Sequence, residues 1–299
     1  MAYSLDDKLV VAISSRALFG FEDAHEVFAN EGEDAYREHQ LGRLDEPAPP
    51  GVAFPLVQKL LRLNDEGANR VEVVVLSRND PVSGLRVFKS AEAHGLNISR
   101  GAFTQGKSPW PYLKPFRAGL FLSAEAEDVC QALANGIPAA SIFEGASKQD
   151  GNPDEIRIAF DGDAVLFGDS AERVYQEAGL ERFYEHEKEH KTEPLEPGPF
   201  APFLRALHEL QTGNLSIGIR TALVTARNAP AHDRAIRTLM NWNVRVDEAF
   251  FLGGVEKGEM LAAFNPDFFF DDQAAHIESA LRNDIAAGHV VHGVRNQGS

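Results

Sequence analysis

A DGD triplet, Asp161-Gly162-Asp163, follows the short apolar run IRIAF; Thr225 ends the run TALVT; and the pair Asp271-Asp272 follows DFFF. Lys257 lies upstream of that last pair in GGVEKGEM. If the runs are strands of one parallel sheet, four carboxylates, a hydroxyl and an ammonium arrive at one sheet edge. Such a set suits phosphoryl transfer to an aspartate. A carboxylate reaches phosphorus only when the repulsion between two anions is neutralised, which Mg²⁺ held by carboxylate and carbonyl oxygens accomplishes. A second carboxyl two residues along an extended chain points alongside the first, and can protonate a leaving oxygen and later deprotonate a water. The hydroxyl and the ammonium supply donors for phosphate oxygens. Taken singly, each feature has a plainer reading. DxD and DDQ are common helix caps, Thr225 suits a turn, and Lys257 suits a solvated surface. Their order at successive strand ends is what favours chemistry.

The elements that would position these residues read as α/β. LVVAISS, VEVVVLS and GLFLS in the first part, like IRIAF, TALVTA and DFFF in the second, are apolar at successive positions. That pattern belongs to strands buried on both faces and covered by helices. Helical patterns such as Phe54 to Asp65, Ser170 to His190 and Asp233 to Trp242 lie between them. Alternation of this kind predicts a doubly wound sheet with its ligands outside the carboxyl ends of the strands.

The chain also repeats itself. VVAISSRALFGFEDAHEVF from Val10 resembles RIAFDGDAVLFGDSAERVY from Arg157, VVVLSRNDPVSGLRVFKSAEAHGLNI from Val73 resembles ALVTARNAPAHDRAIRTLMNWNVRV from Ala222, and GLFLSAEAEDV resembles DFFFDDQAAHI. The offset is about 147 to 149 positions each time, the size of a domain rather than of a solenoid unit. Two related parallel-sheet halves follow, residues 1–150 and 151–299, with a boundary near the turn-rich stretch Glu144 to Glu155. In the alignment Ser14 stands against Asp161, Arg16 against Asp163, and Ser123 with Ala124 against Asp271 with Asp272. The first half is therefore expected to be a degenerate copy without this chemistry. Arg16, Arg78, Asn79 and Lys107 fall where a working copy would hold phosphate, so they are candidates for a second anion site or for one wall of the substrate pocket; surface or capping roles are the alternative.

Composition bounds the rest. With 299 residues, 43 % hydrophobic and 25 % charged, the chain is ordinary globular protein with room for two domains. A net charge of −16 argues against nucleic acid and anionic membrane as partners. Cys130 is the single cysteine, so no internal disulfide and no thiolate metal cage is expected. No apolar run reaches the roughly 18 residues of a membrane span, and MAYSLDDKLVVAIS lacks a signal pattern, so a soluble, cytoplasmic protein is expected. A homo-oligomer is left open.

FDGDAVLF, LVTAR, a lysine in a Gly-flanked loop and FFFDDQ resemble the four motifs of the haloacid dehalogenase superfamily of phosphatases. More narrowly, AISSRALF, PGVAFPLV, LRVFKSAEAHGL, FTQGKSPWPYLK, RIAFDGDAVLFGDSAERV, FYEHEKEH, LVTARNAPAHDRAIRTL and FFFDDQ resemble the cytosolic 5′-nucleotidase I family, from about Leu9 to about Val294. The resemblance implies a Rossmann-like fold and Mg²⁺-dependent hydrolysis of nucleoside 5′-monophosphates, AMP especially. It implies Asp161 as nucleophile and metal ligand, and Asp163 as general acid and base with its carbonyl on the metal. Thr225 would bind the transferring phosphate and Lys257 balance its charge, with Ala226 and Arg227 as further substrate-binding candidates; Asp271 would ligate the metal directly, and Asp272 through water or by orienting its ligands. Glu256 stands where the family usually has proline.

In such folds an insertion between the first two motif strands caps the site, here about residues 170–212. Phe183, His186 and Lys188 within it are candidates for contact with base or ribose, against the default that FYEHEKEH is a solvated helix face with i,i+4 charge pairing. His186 and His190 lack the companions of a zinc pair. The rival readings are a phosphatase for another small phosphomonoester, such as a sugar phosphate, and a nucleotide-binding regulatory protein without turnover.

Overall fold

Strands that are apolar at successive positions need cover on both faces, and the chain supplies it. The structure, a computed structural model, describes residues 3–64, 69–143, 152–213 and 215–296. Most of the expected boundary stretch, residues 144–151, lies outside the described residues. Strands β1 (Leu9–Ile13), β2 (Val71–Ser77), β3 (Arg100–Phe103), β4 (Leu120–Ser123) and β5 (Ala139–Ile142) pair in parallel in the order β3-β2-β1-β4-β5. Strands β6 (Glu155–Phe160), β7 (Gly218–Thr225), β8 (Glu248–Phe251), β9 (Phe268–Asp271) and β10 (Ala287–His289) pair in parallel in the order β8-β7-β6-β9-β10. Read from its outer edge, each set has the same strand order.

The two sets join through β5 and β10, which pair antiparallel with Gly288 opposite Ile142, making one sheet of ten strands among the described residues. Strands therefore run in opposite directions on either side of that seam. The carboxyl ends of the first set and of the second set lie at opposite edges of the common sheet.

Helices α1 (Ser15–Leu18), α2 (Glu22–Glu31), α3 (Glu33–Gly42), α4 (Phe54–Arg62), α5 (Pro81–Ala93) and α6 (Ala126–Ala134) accompany the first set. Helices α7 (Ser170–Glu189), α8 (Ala201–Gln211), α9 (His232–Asn241), α10 (Lys257–Phe264) and α11 (Ala274–Arg282) accompany the second. One face of the sheet carries a core that crosses the seam, from Val11, Ile13, Val73 and Leu122 to Ile158, Phe160, Leu223 and Phe270. The opposite face carries two separate clusters, one around Val10, Ala12, Phe121 and Val129, the other around Ala159, Val224, Phe269 and Ile277. Buried Lys59 on α4 also crosses between the sets, donating to Asp267 Oδ1 at 2.7 Å and to the Asn152 and Glu155 carbonyls.

The expected cap divides in two. α8 buries Phe203, Leu204 and Leu207 in the seam-crossing core, with Phe203 against Phe160 and Phe270. α7 instead meets the segment after β7, where Tyr184 Oη donates to Asn228 Oδ1 at 2.6 Å and Glu187 accepts from Arg227. α7 breaks at Gly179, whose φ of 79° is a left-handed value that glycine tolerates without a Cβ clash. Gly32, between α2 and α3, has φ 89° and makes the corresponding break in the first set. No helix among the described residues is long and apolar enough to cross a membrane.

Candidate active site

The site forms where β6 lies between β7 and β9, the point at which the strand order turns back on itself and where open α/β sheets bind ligands. Asp161 leaves β6 with its N–H on the Phe270 carbonyl at 2.8 Å, so its carboxyl emerges beside Asp271, the last residue of β9. Thr225 ends β7. Gly162 permits the approach of these two strands: a Cβ there would lie 3.1 Å from Thr225 Oγ1. Lys257 is the first residue of α10 and is buried, with Nζ donating to Asp161 Oδ1 at 2.5 Å and to Asp271 Oδ2 at 2.6 Å. Glu256 before it has φ −62°, the value proline would fix, and its carboxylate accepts from Ser279 Oγ at 2.8 Å. The loop geometry thus survives the absence of proline.

Asp161, Asp271 and Asp272 each offer an oxygen within 4.8 Å of the others, and all three are buried. Both side-chain oxygens of Asp272 are buried with no hydrogen-bond partner among the described residues. Unpartnered buried carboxylate oxygens are costly, and a hard divalent cation bound through oxygen satisfies them. The residues present therefore fit a cation.

The electrostatics agree. Burial, then repulsion from Asp161 and Asp271, pushes Asp272 up to about 9. Burial pushes Asp161 up to about 7 against the pull of Lys257. Asp271 is also raised by burial, but Lys257 and His276 outweigh this and hold it below its ordinary value. Asp161 and Asp271 share one ammonium, while Asp272 has no hydrogen-bonding partner among the described residues. Burial lowers the Lys257 ammonium and the two carboxylates more than reverse it, so it stays charged.

Asp161, Asp271, Asp272 and Lys257 thus meet in one cluster. Asp163 and Thr225 reach the same edge, where Thr225 Oγ1 accepts from the Arg227 N–H at 3.2 Å. Ala226 is exposed beside them. Arg227 is buried with its guanidinium on Asp163 and Glu187, so its donors are spent within the protein rather than turned to open space. Phe183 is buried against that guanidinium, 5.6 Å from ring centre to Cζ. His186 stacks on His190, with ring centres 4.3 Å apart, and Lys188 is exposed.

Arg16 and Asn79 do not join this cluster. With Arg78, Phe21, Phe28, Tyr36 and others they line a separate cavity of about 360 Å³ at the carboxyl ends of the first strand set, hence at the opposite sheet edge. They are no wall of the Asp161 site. Their neighbourhood is no bare anion trap either: Arg78 pairs with Asp128 and Glu127, and Arg16 with Glu125.

Two participants escaped the sequence. His276, in the first turn of α11, has Nδ1 3.0 Å from Asp271 Oδ2, and FFFDDQAAH gives no cue beyond spacing. Glu187, inside a stretch that reads as solvated, is wholly buried between Arg227 and Arg234.

A family profile described as 5′-nucleotidase matches residues 1–297. The chain is similar to human cytosolic 5′-nucleotidase 1B, with 37 % identity over 294 residues, 93 % of this chain and 48 % of that protein. The chain thus spans about half the length of the curated relative it matches. No solved structure gives a significant match.

Proposed function

The chain belongs to the 5′-nucleotidase family, and from that premise we propose that it hydrolyses nucleoside 5′-monophosphates, AMP first among them, to nucleoside and phosphate. The observation that carries the reading is the buried Asp161, Asp271, Asp272 cluster around Lys257, with Asp272 unpartnered. Asp161, Asp271 and Asp272, with the Asp163 carbonyl, would hold Mg²⁺, which when bound offsets the repulsion between carboxylate and phosphate.

Asp161 attacks phosphorus, the ester P–O bond breaks, and Asp163 gives its proton to the leaving oxygen. Water then attacks the aspartyl-phosphate, loses its proton to Asp163, and frees Asp161. Thr225 donates its hydroxyl to a phosphate oxygen, and Lys257 balances charge between phosphate and nucleophile. The first strand set, alike in strand order but bearing Ser14 and Ser123 at the corresponding ends, serves as a packing partner without this chemistry. A phosphate-release screen over AMP, IMP, deoxynucleotides and sugar phosphates, with and without EDTA, tests the reading. Release from nucleotides that EDTA abolishes is expected; preference for sugar phosphates favours the rival phosphatase, and no release favours a binding protein.

Metal binding should depend on pH. Asp272 and Asp161 keep protons in the metal-free fold that the unfolded chain has shed, so metal-free stability should fall as pH rises from about 4 through about 9. A cation displaces those protons, so apparent Mg²⁺ affinity should rise about tenfold per pH unit per proton released between pH 6 and 8. Calorimetric titration at pH 6, 7 and 8 checks this. A flat affinity would remove the cluster from the metal site.

A further inference from the structure

Asp163 is gripped from the side. Arg227 Nε donates to Asp163 Oδ2 at 2.9 Å and Nη2 donates to Oδ1 at 2.6 Å, a two-point pairing that fixes the plane of the carboxylate as well as its position. The remaining nitrogen, Nη1, donates to Glu187 Oε2 on α7. Glu187 Oε1 accepts from Arg234 Nη1 of α9 at 2.8 Å, and Arg234 Nε donates to the Glu193 carbonyl at 2.9 Å. The Arg227 and Glu187 side chains are 1 % and 0 % exposed, so the row is shielded from water. Its charges alternate, and removing one member of a buried ionic row leaves its neighbour uncompensated. The row therefore behaves as a stiff link from the cap helix to Asp163.

We propose that Arg227 is a positioning residue that aims the Asp163 carboxyl at the ester oxygen and at the hydrolytic water, and that Glu187 makes this aim conditional on a seated α7. The proposal rests on the phosphohydrolase reading above. The break at Gly179 lends it a mechanical basis, because residues 180–189, which carry Phe183 and Glu187, need not move with residues 170–178. This part of the cap and the acid–base group form one body. Proton transfer is then available only when that body is in place.

Leaving groups separate aim from architecture. The ribose 5′-oxygen of AMP needs a proton to depart, whereas p-nitrophenolate does not. Poor aim should slow P–O cleavage in AMP but not in p-nitrophenyl phosphate, while hydrolysis of the aspartyl-phosphate, which needs a base, slows with both. For Arg227→Met, kcat on AMP should fall about 100-fold with KM within about threefold, and p-nitrophenyl phosphate should give a burst of about one p-nitrophenolate per site before slow turnover. The burst should vanish when Asp161→Asn is added. Arg227→Lys keeps the charge without the planar fork and should recover less than about tenfold. Glu187→Gln should show the same split at about tenfold.

Equal losses on both substrates without a burst, or a KM shift with kcat intact, would overturn the proposal. Should Arg227→Met fail to fold by circular dichroism, Arg227→Lys and Glu187→Gln decide by the same two readouts. Failure of the underlying reading looks different: the unaltered protein releases no phosphate, or Asp161→Asn keeps turning over.

Discussion

Asp161→Asn is expected to abolish turnover on AMP and on p-nitrophenyl phosphate alike, by about 10⁴-fold or more, because under the proposed mechanism no leaving group compensates for a missing nucleophile. The same substitution should leave the fold intact and make the metal-free protein more stable above about pH 7. Asp161 is pushed up to about 7, chiefly by burial. Its ionised form is thus disfavoured by the fold, and the penalty grows as pH rises from the ordinary carboxylate range through that value. An amide of the same shape carries no such penalty. Lys257 keeps Asp271 as a partner. Phosphate release together with thermal unfolding in EDTA at pH 5 and pH 8 measures both effects. A variant that is inactive and also less stable at pH 8 would show that the Asp161 charge holds the fold together instead of straining it.

Lys257→Met should act in the opposite sense on stability. Its ammonium bridges Asp161 and Asp271 from a buried position. Removing one partner from a buried ionic group costs about 3–5 kcal/mol, since the charges left behind have neither water nor a counter-ion. With the ammonium gone the carboxylates rise further in the folded state. Stability should then be retained at low pH, where they are protonated, and lost as pH climbs. Mg²⁺ should restore part of it. Turnover should drop about 10³-fold even with saturating metal, because charge between nucleophile and phosphate is no longer balanced. Unfolding curves across pH 5 to 9, with and without Mg²⁺, check the sign. A loss that is independent of pH would point to packing of the lysine stem instead.

The strand-end residues were legible because each is fixed by local pattern: an apolar run, then a polar residue, in an order that recurs. Asp161, Thr225 and Asp271 occupy the strand ends that IRIAF, TALVT and DFFF predicted. The chain's membership of its family was legible for the same reason, in words such as FDGDAVLF and FFFDDQ. The seam was not. β10 is only Ala287–His289, too short to show a period, and its antiparallel partner lies far away in sequence. Without that seam nothing in the sequence tells that Arg16 and Asn79, candidates for a second anion site or for a wall of the substrate pocket, lie at the opposite edge from Asp161. Glu187 was illegible for another reason. In FYEHEKEH four of the eight residues are charged, and only the break at Gly179 and the packing of Phe183 decide which of them turns inward. Arg227, expected on the substrate, is drawn inward to that same carboxylate.

The seam also sets the smallest piece of this chain able to stand alone. The aromatic layer beneath Asp161 belongs to a core that continues through β1 and β2, and Asp267 just before β9 receives its ammonium from Lys59 on α4. A truncation to residues 152–296 would bare the flank of β10, strip Lys59 from Asp267 and open half of an oily layer to water. The first strand set is thus part of the foundation under the Asp161 cluster, and the two sets are expected to fold and be purified as one.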